Sequence, residues 1–183
     1  MSKDDCAREF QPPARPEKGS GRVQVFLAGS IEMGKATEWQ RRAVKEFAGL
    51  PVDVLNPRRK DWDPSWEQRA SNPRFREQVE WELDFLERAD LVALYFEPGT
   101  DSMITLAEHG ILCGIRPEKV VVCCPVGYKR LGNVEIMNSR YGVTHVFSFD
   151  EWLQVVKERL AKLVEERRRE AVECASCSTA ASV

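Results

Sequence analysis

Two glutamates sit where an amphipathic helix should carry an apolar side chain. From Asn72 to Asp90, a step of about 100° per residue puts Phe75, Val79, Leu83 and Leu86 on one face. Glu82 falls in that same sector, while Glu77, Glu80, Asp84 and Glu87 project to the far side or flank. Glu108 lies among Ile104, Ile111 and Leu112 in the next helical stretch. An ionised carboxylate without partners is expensive to bury, so each acid either pairs internally or faces a cavity. For Glu82 the internal partner would be an arginine of the Arg58-Arg59 stretch. For Glu108 a helix start favours the ionised form, while desolvation works against it. Two inward acids on adjacent helices are what glycosidic-bond chemistry uses: one attacks or stabilises the anomeric carbon, the other manages a proton.

A second segment invites a nucleotide reading. Gly29-Ser-Ile-Glu-Met-Gly34-Lys35-Ala36-Thr37 follows the triphosphatase phosphate loop up to its last position. There Ala36 replaces the hydroxyl that would hold magnesium, and Glu32 puts a negative charge where phosphates would rest. What survives is a small-ligand loop. Its glycines allow close backbone approach, and amides at a helix start favour anionic or hydroxyl-rich groups.

The remaining composition narrows the class. The 183 residues hold 43% apolar and 31% charged side chains, which suits one globular domain. The 27 basic and 29 acidic residues nearly cancel, which argues against nucleic acid as partner. No apolar run reaches the roughly 20 residues of a membrane span, and residues 1–22 lack a signal-peptide core. Of six cysteines, Cys123 and Cys124 lie in an apolar run, Cys113 in a helix and Cys6 in a tail. Cys174 and Cys177 form a CxxC pair without a partner pair, and the two histidines, His109 and His145, lie far from it. A zinc site needs about four ligands, so neither metal nor cofactor is expected. Reduced thiols and a cytoplasmic location follow.

The elements that must position the acids read as alternating strand and helix. Apolar runs at Val23–Ala28, Val52–Leu55, Leu91–Phe96, Val120–Cys124 and Val143–Phe147 predict five strands. Helices start near Thr37, at Asn72-Pro73, at Asp101 or Ser102, and at the capping box Ser148–Glu151. Residues 1–21 read as a flexible tail, 22–165 as the domain, and 166–183 as a helix end and tail. Largely apolar strands between helices predict a single-domain α/β sandwich. It is flavodoxin-like or Rossmann-like, with a five-stranded parallel sheet in the order 2-1-3-4-5 and helices on both faces. Ligands in such folds bind beyond the carboxyl ends of the strands, here the loops Gly29–Ala36, Asn56–Trp66 and Glu97–Ser102. Trp62 and Trp66 in the second loop are placed either to stack on a nucleobase or to pack as a lid.

With these residues in hand, the chain resembles the nucleoside 2-deoxyribosyltransferases and the related 2′-deoxynucleoside 5′-phosphate N-hydrolases over about Val23 to Phe149. The likeness rests on VFLAGSI, QVEWELDFLERAD and SMITLAEHG. It implies that Glu108, with Gly110 two positions on, is the nucleophile. It also implies that Glu82, eight residues before Asp90, assists the leaving base, where the family usually has Asp. Six residues before the nucleophile the transferases carry Asp and the hydrolases Ser; this chain has Ser102 beside Asp101. The Gly29-Ser30-Ile31 segment looks like the hydrolases, which continue with Arg where this chain has Glu32. The nearest likeness is to the nucleoside 2-deoxyribosyltransferase-like branch, where NPRR, here Asn56 to Arg59, and the Trp-Glu pair recur.

The resemblance further implies a homodimer or larger assembly, with Asn133 reaching a neighbouring site. The expected function is cleavage or transfer at the N-glycosidic bond of a nucleoside or nucleotide, with a non-catalytic nucleotide-sensing module as alternative. Glu108 and Glu82 are the expected catalytic pair. Gly29, Ser30, Asn56, Trp62, Asp90, Asp101, Ser102 and Asn133 make up the expected binding set.

Overall fold

The computed structural model describes residues 5–180; the outermost parts of both expected tails lie outside them. Its strands are β1 (Arg8–Phe10), β2 (Val23–Gly29), β3 (Val52–Leu55), β4 (Leu91–Tyr95), β5 (Val120–Cys123) and β6 (Thr144–Val146). Its helices are α1 (Trp39–Phe47), α2 (Pro73–Arg88), α3 (Met103–Ile115), α4 (Leu131–Tyr141) and α5 (Phe149–Ala180). All pairings are parallel, in the order β1-β3-β2-β4-β5-β6. Without β1 this is the expected flavodoxin-like order.

The sheet has six strands rather than five. The extra strand comes from within the segment expected to be a tail. Arg-Glu-Phe carries no apolar run, so nothing local marks it as a strand. Contacts distant in sequence hold it: Arg8 grips Asp53 through two bonds of 2.9 and 3.0 Å, and Asn56 donates to Glu9 at 2.7 Å. Asp53 is fully buried and also meets Arg22 at 2.9 Å, so two guanidiniums compensate its charge.

Successive strand residues point to opposite faces, and both faces here are apolar. Val25, Leu27, Val54, Ala93 and Tyr95 pack with Trp39 and Phe47 of α1 and with Trp152, Val156 and Leu160 of α5. Phe26, Ala28, Leu55, Val92 and Leu94 pack with Trp81 and Phe85 of α2, Leu112 of α3 and Val134 of α4. The main strands are therefore largely apolar, with Gln24 in β2, Asp53 in β3 and the short Thr-His-Val of β6 as departures. No helix among the described residues is long and apolar enough to cross a membrane.

Three local expectations shift. Thr37 precedes the first helix, which begins at Trp39, and the Thr37 amide donates to the Glu97 carboxylate at 2.8 Å. The last helix continues to Ala180, through the stretch 166–183 expected to hold a helix end and then a tail. Pairs such as Arg167–Glu170 and Arg168–Glu165 lie three apart along it, a spacing that supports helix. In α2 the buried face is Gln78, Trp81, Phe85 and Leu86, while Leu83 is exposed. The two large aromatics carry more apolar area than the aliphatic stripe and turn the helix toward themselves. Asn72 does cap α2, accepting the amides of Arg74 and Phe75 just before Pro73. Cys113, Cys123 and Cys124 are buried among apolar groups; the side chain of Cys177 lies outside the described residues.

Candidate active site

β2 lies between β3 and β4, so the chain leaves it toward opposite sides of the sheet, and the loops beyond its carboxyl end diverge. α2 and α3 cover the same face there and carry Glu82 and Glu108, both half-buried. Neither acid meets a cation among the described residues. Arg58 is occupied with the Ala36 and Thr37 carbonyls, and Arg59 with Asp61 and Glu77. The internal arginine pair that could have explained Glu82 is therefore not formed.

Glu82 accepts one hydrogen bond, from Gln78 Nε2 at 2.8 Å. Glu108 makes none among the described residues, and it stands close enough to Glu82 to feel its charge. Burial pushes Glu82 up to about 7, partly offset by the Gln78 bond. Burial pushes Glu108 up to about 8, with the Glu82 charge adding to it. Two interacting carboxyls lose their protons in steps that belong to the pair, so near neutrality they tend to share one proton. In the free pair the shared proton rests more on Glu108, and its passage to Glu82 leaves an ionised nucleophile beside an acid.

Beside the pair lies a buried knot of three hydroxyls. Ser30 Oγ meets Thr100 Oγ1 at 3.0 Å and Ser102 Oγ at 2.5 Å, and Thr100 Oγ1 meets Ser102 Oγ at 2.7 Å. Thr100 also donates to the Glu97 carbonyl at 2.7 Å, and Ser30 accepts the Glu97 amide at 2.9 Å. Four of these contacts call for a hydroxyl proton and the three side chains hold three, so the knot has no donor to spare. The knot ties the β2–α1 loop to the β4–α3 loop.

Ser102 precedes α3 as expected, yet its side chain does not cap the helix. The carboxylate of Glu32 does so instead, accepting the amides of Asp101 and Ser102. A negative charge there matches the positive end of the helix dipole. Asp101 pairs with Lys129 at the surface.

Comparison with known proteins gives the family. A family model described as nucleoside 2-deoxyribosyltransferase like matches residues 22–128, more than half of the chain and all of β2 to β5. The chain belongs to that family. A solved structure described as a conserved protein from Enterococcus faecalis V583 is similar to it in fold. The two are 14% identical with a TM-score of 0.53, over 75% of this chain and 99% of the other. No curated protein matches.

Within this family member, not every expected residue gathers at the pair. Asp90 lies before β4, at the amino end of the sheet, where it accepts the Gln24 amide and the Arg167 guanidinium, each at 2.8 Å. Asn56 is buried, with its amide committed to Glu9 and to the Arg58 N–H. Gly29 serves packing: a Cβ there would stand 2.4 Å from the Tyr95 carbonyl and 2.8 Å from the Trp39 ring. Trp62 packs on Trp66 at 5.2 Å, and Arg59 and Arg74 both lie over the Trp66 ring. The Trp62 indole N–H is buried with no partner among the described residues. Asn133 is exposed in the first turn of α4.

Two contributors, Gln78 and Thr100, are unmarked in the sequence reading, and Glu32 is marked there only for its charge in the loop. Their signals were present. Gln78 stands four residues before Glu82 on one helix, Thr100 completes a hydroxyl run with Ser102, and Glu32 is an acid opposite a helix start.

Proposed function

We propose that this chain cleaves or transfers the N-glycosidic bond of a nucleoside or nucleotide, with Glu108 as nucleophile and Glu82 as acid. The observation that carries this reading is two half-buried, cation-free carboxyls from α2 and α3 within electrostatic reach of each other. A Glu108 oxygen attacks C1′, and the C1′–N bond breaks with its electron pair going to the base. Glu82 supplies the proton that makes the base a neutral leaving group. The glycosyl ester on Glu108 is then taken by a second base or by water, and the two outcomes differ only in the acceptor.

Glu32 already occupies the amides of Asp101 and Ser102, which supports an uncharged 5′ end over a phosphate. Apolar exposure on α3 supports the expected second copy. Ile104, Ile111 and Ile115 are 71%, 47% and 58% exposed on the helix face that borders Glu108. Asn133 on the neighbouring α4 would then reach the partner's site.

The test is release of free base from deoxynucleosides, ribonucleosides and their monophosphates, read by chromatography. Release should fall by about 10²-fold or more in Glu108→Gln. A chain that binds nucleosides and releases no base, with binding unchanged in Glu108→Gln, would be a sensing module and not an enzyme.

A further inference from the structure

Gln78 is 5% exposed and lies one turn before Glu82 on α2. Its Nε2 donates to the Pro57 carbonyl at 2.9 Å and to Glu82 Oε1 at 2.8 Å. Both amide protons are thus spent, and the amide cannot be flipped: Oε1 would then face the Pro57 carbonyl, acceptor against acceptor. Its actual Oε1 is buried with no partner among the described residues. Leaving a buried amide oxygen unpaired is unfavourable, and tying α2 to the Pro57 loop needs only one of the two protons. The other goes to the acid.

We infer that Gln78 is the positioning residue for Glu82, holding Oε1 as acceptor so that the transferable proton resides on Oε2. This rests on the glycosidic reading above and adds a regiochemistry to it. In the forward step the proton leaves Oε2 for the base nitrogen as the C1′–N electron pair departs. The negative charge left on Glu82 is then stabilised at Oε1 by the Gln78 N–H. A carboxyl free to rotate would present either oxygen to the base and spend part of its time turned away.

The groups facing Glu82 are few. Gln78 comes from its own helix and Glu108 from α3, while Arg58 and Arg59 of the loop turn to other partners. The bond from Gln78 favours the ionised carboxyl, opposing burial.

The experiment follows the Glu82 carboxyl by carbon NMR against pH in the full chain, in Gln78→Met and in Gln78→Glu. Loss of the N–H should raise the Glu82 midpoint by about one pH unit in Gln78→Met, and further in Gln78→Glu, where a like charge is added. The alkaline limb of base release should move up with it while KM stays within about threefold, since substrate contacts are unchanged. A midpoint that stays put while only thermal stability falls would reduce Gln78 to a structural tie and overturn the inference. In the unmutated chain, the Gln78 side-chain amide proton must titrate with the Glu82 midpoint; a flat signal overturns the inference without any variant. If the titrations behave as expected and no base is released, the glycosidic reading fails and the hold on Glu82 stands.

Discussion

Glu32 and Ser102 are the two non-glycine residues, among those described, held at positive φ, 43° and 48°, and they meet through the Glu32 carboxylate and the Ser102 amide. Left-handed backbone costs roughly 1–2 kcal/mol for a residue with a Cβ. The contact holds both residues there, joining the loop after β2 to the start of the helix that carries Glu108.

Glu32→Ala should therefore lower unfolding stability by about 1–2 kcal/mol, the usual cost of losing a helix cap. Glu32→Gly should cost less, because glycine takes the positive φ without a clash. Urea denaturation of both variants checks this. Equal losses would mean that backbone strain at Glu32 contributes nothing.

The two catalytic candidates set a pH dependence of stability. Burial holds Glu82 near 7 and Glu108 near 8, against 4.5 for a free glutamate. The folded chain thus keeps protons that the unfolded chain has released. For these two groups, stability is greatest below about pH 4.5 and falls as pH rises toward 8. Glu108→Gln, neutral at every pH, should melt higher than the native chain at pH 8. Each kcal/mol gained is worth about 2–4 °C for a chain this size. The difference should vanish near pH 4.5; an unchanged melting temperature at pH 8 would refute the raised carboxyl.

Asp90 separates folding from turnover. Asp90→Ala strands the Gln24 amide and frees Arg167, so stability should drop by about 1–3 kcal/mol. kcat and KM for base release should remain as in the native chain, since Asp90 sits at the far end of the sheet from the loops. A rise in KM alone would return Asp90 to the binding set.

Gly29→Ala drives a methyl against the Tyr95 carbonyl and the Trp39 ring. We expect about 1–3 kcal/mol of overpacking strain, read by denaturation. A neutral outcome would show that the β2–β4 contact can open at no cost.

Ile104→Glu and Ile115→Glu put charges on the exposed face of α3. If a second copy packs there, light scattering should find a multimer for the native chain and a monomer for the double variant. A native monomer would leave the site complete within one chain.

Hydrophobic periodicity is local, and so five of the parallel strands, their order and the helices α1, α2, α3 and α5 were legible in the residues, while α4 was not. The same holds for Glu82 and Glu108, because an acid among apolar neighbours on a helix stands out against the pattern around it. The resemblance of the surrounding motifs to a family then suggested sugar chemistry for the pair. The tertiary structure alone decided the rest. It placed β1 through Arg8 and Asp53, 45 residues apart, and capped α3 with Glu32, 70 residues before Ser102. It also turned α2 toward Trp81 and Phe85, tied Asp90 to Gln24 and Arg167 and spent the Ser30 and Ser102 hydroxyls on one another. Such partners are chosen by which groups the closed chain brings together and leaves in need of a hydrogen bond, and no short window of sequence contains that information.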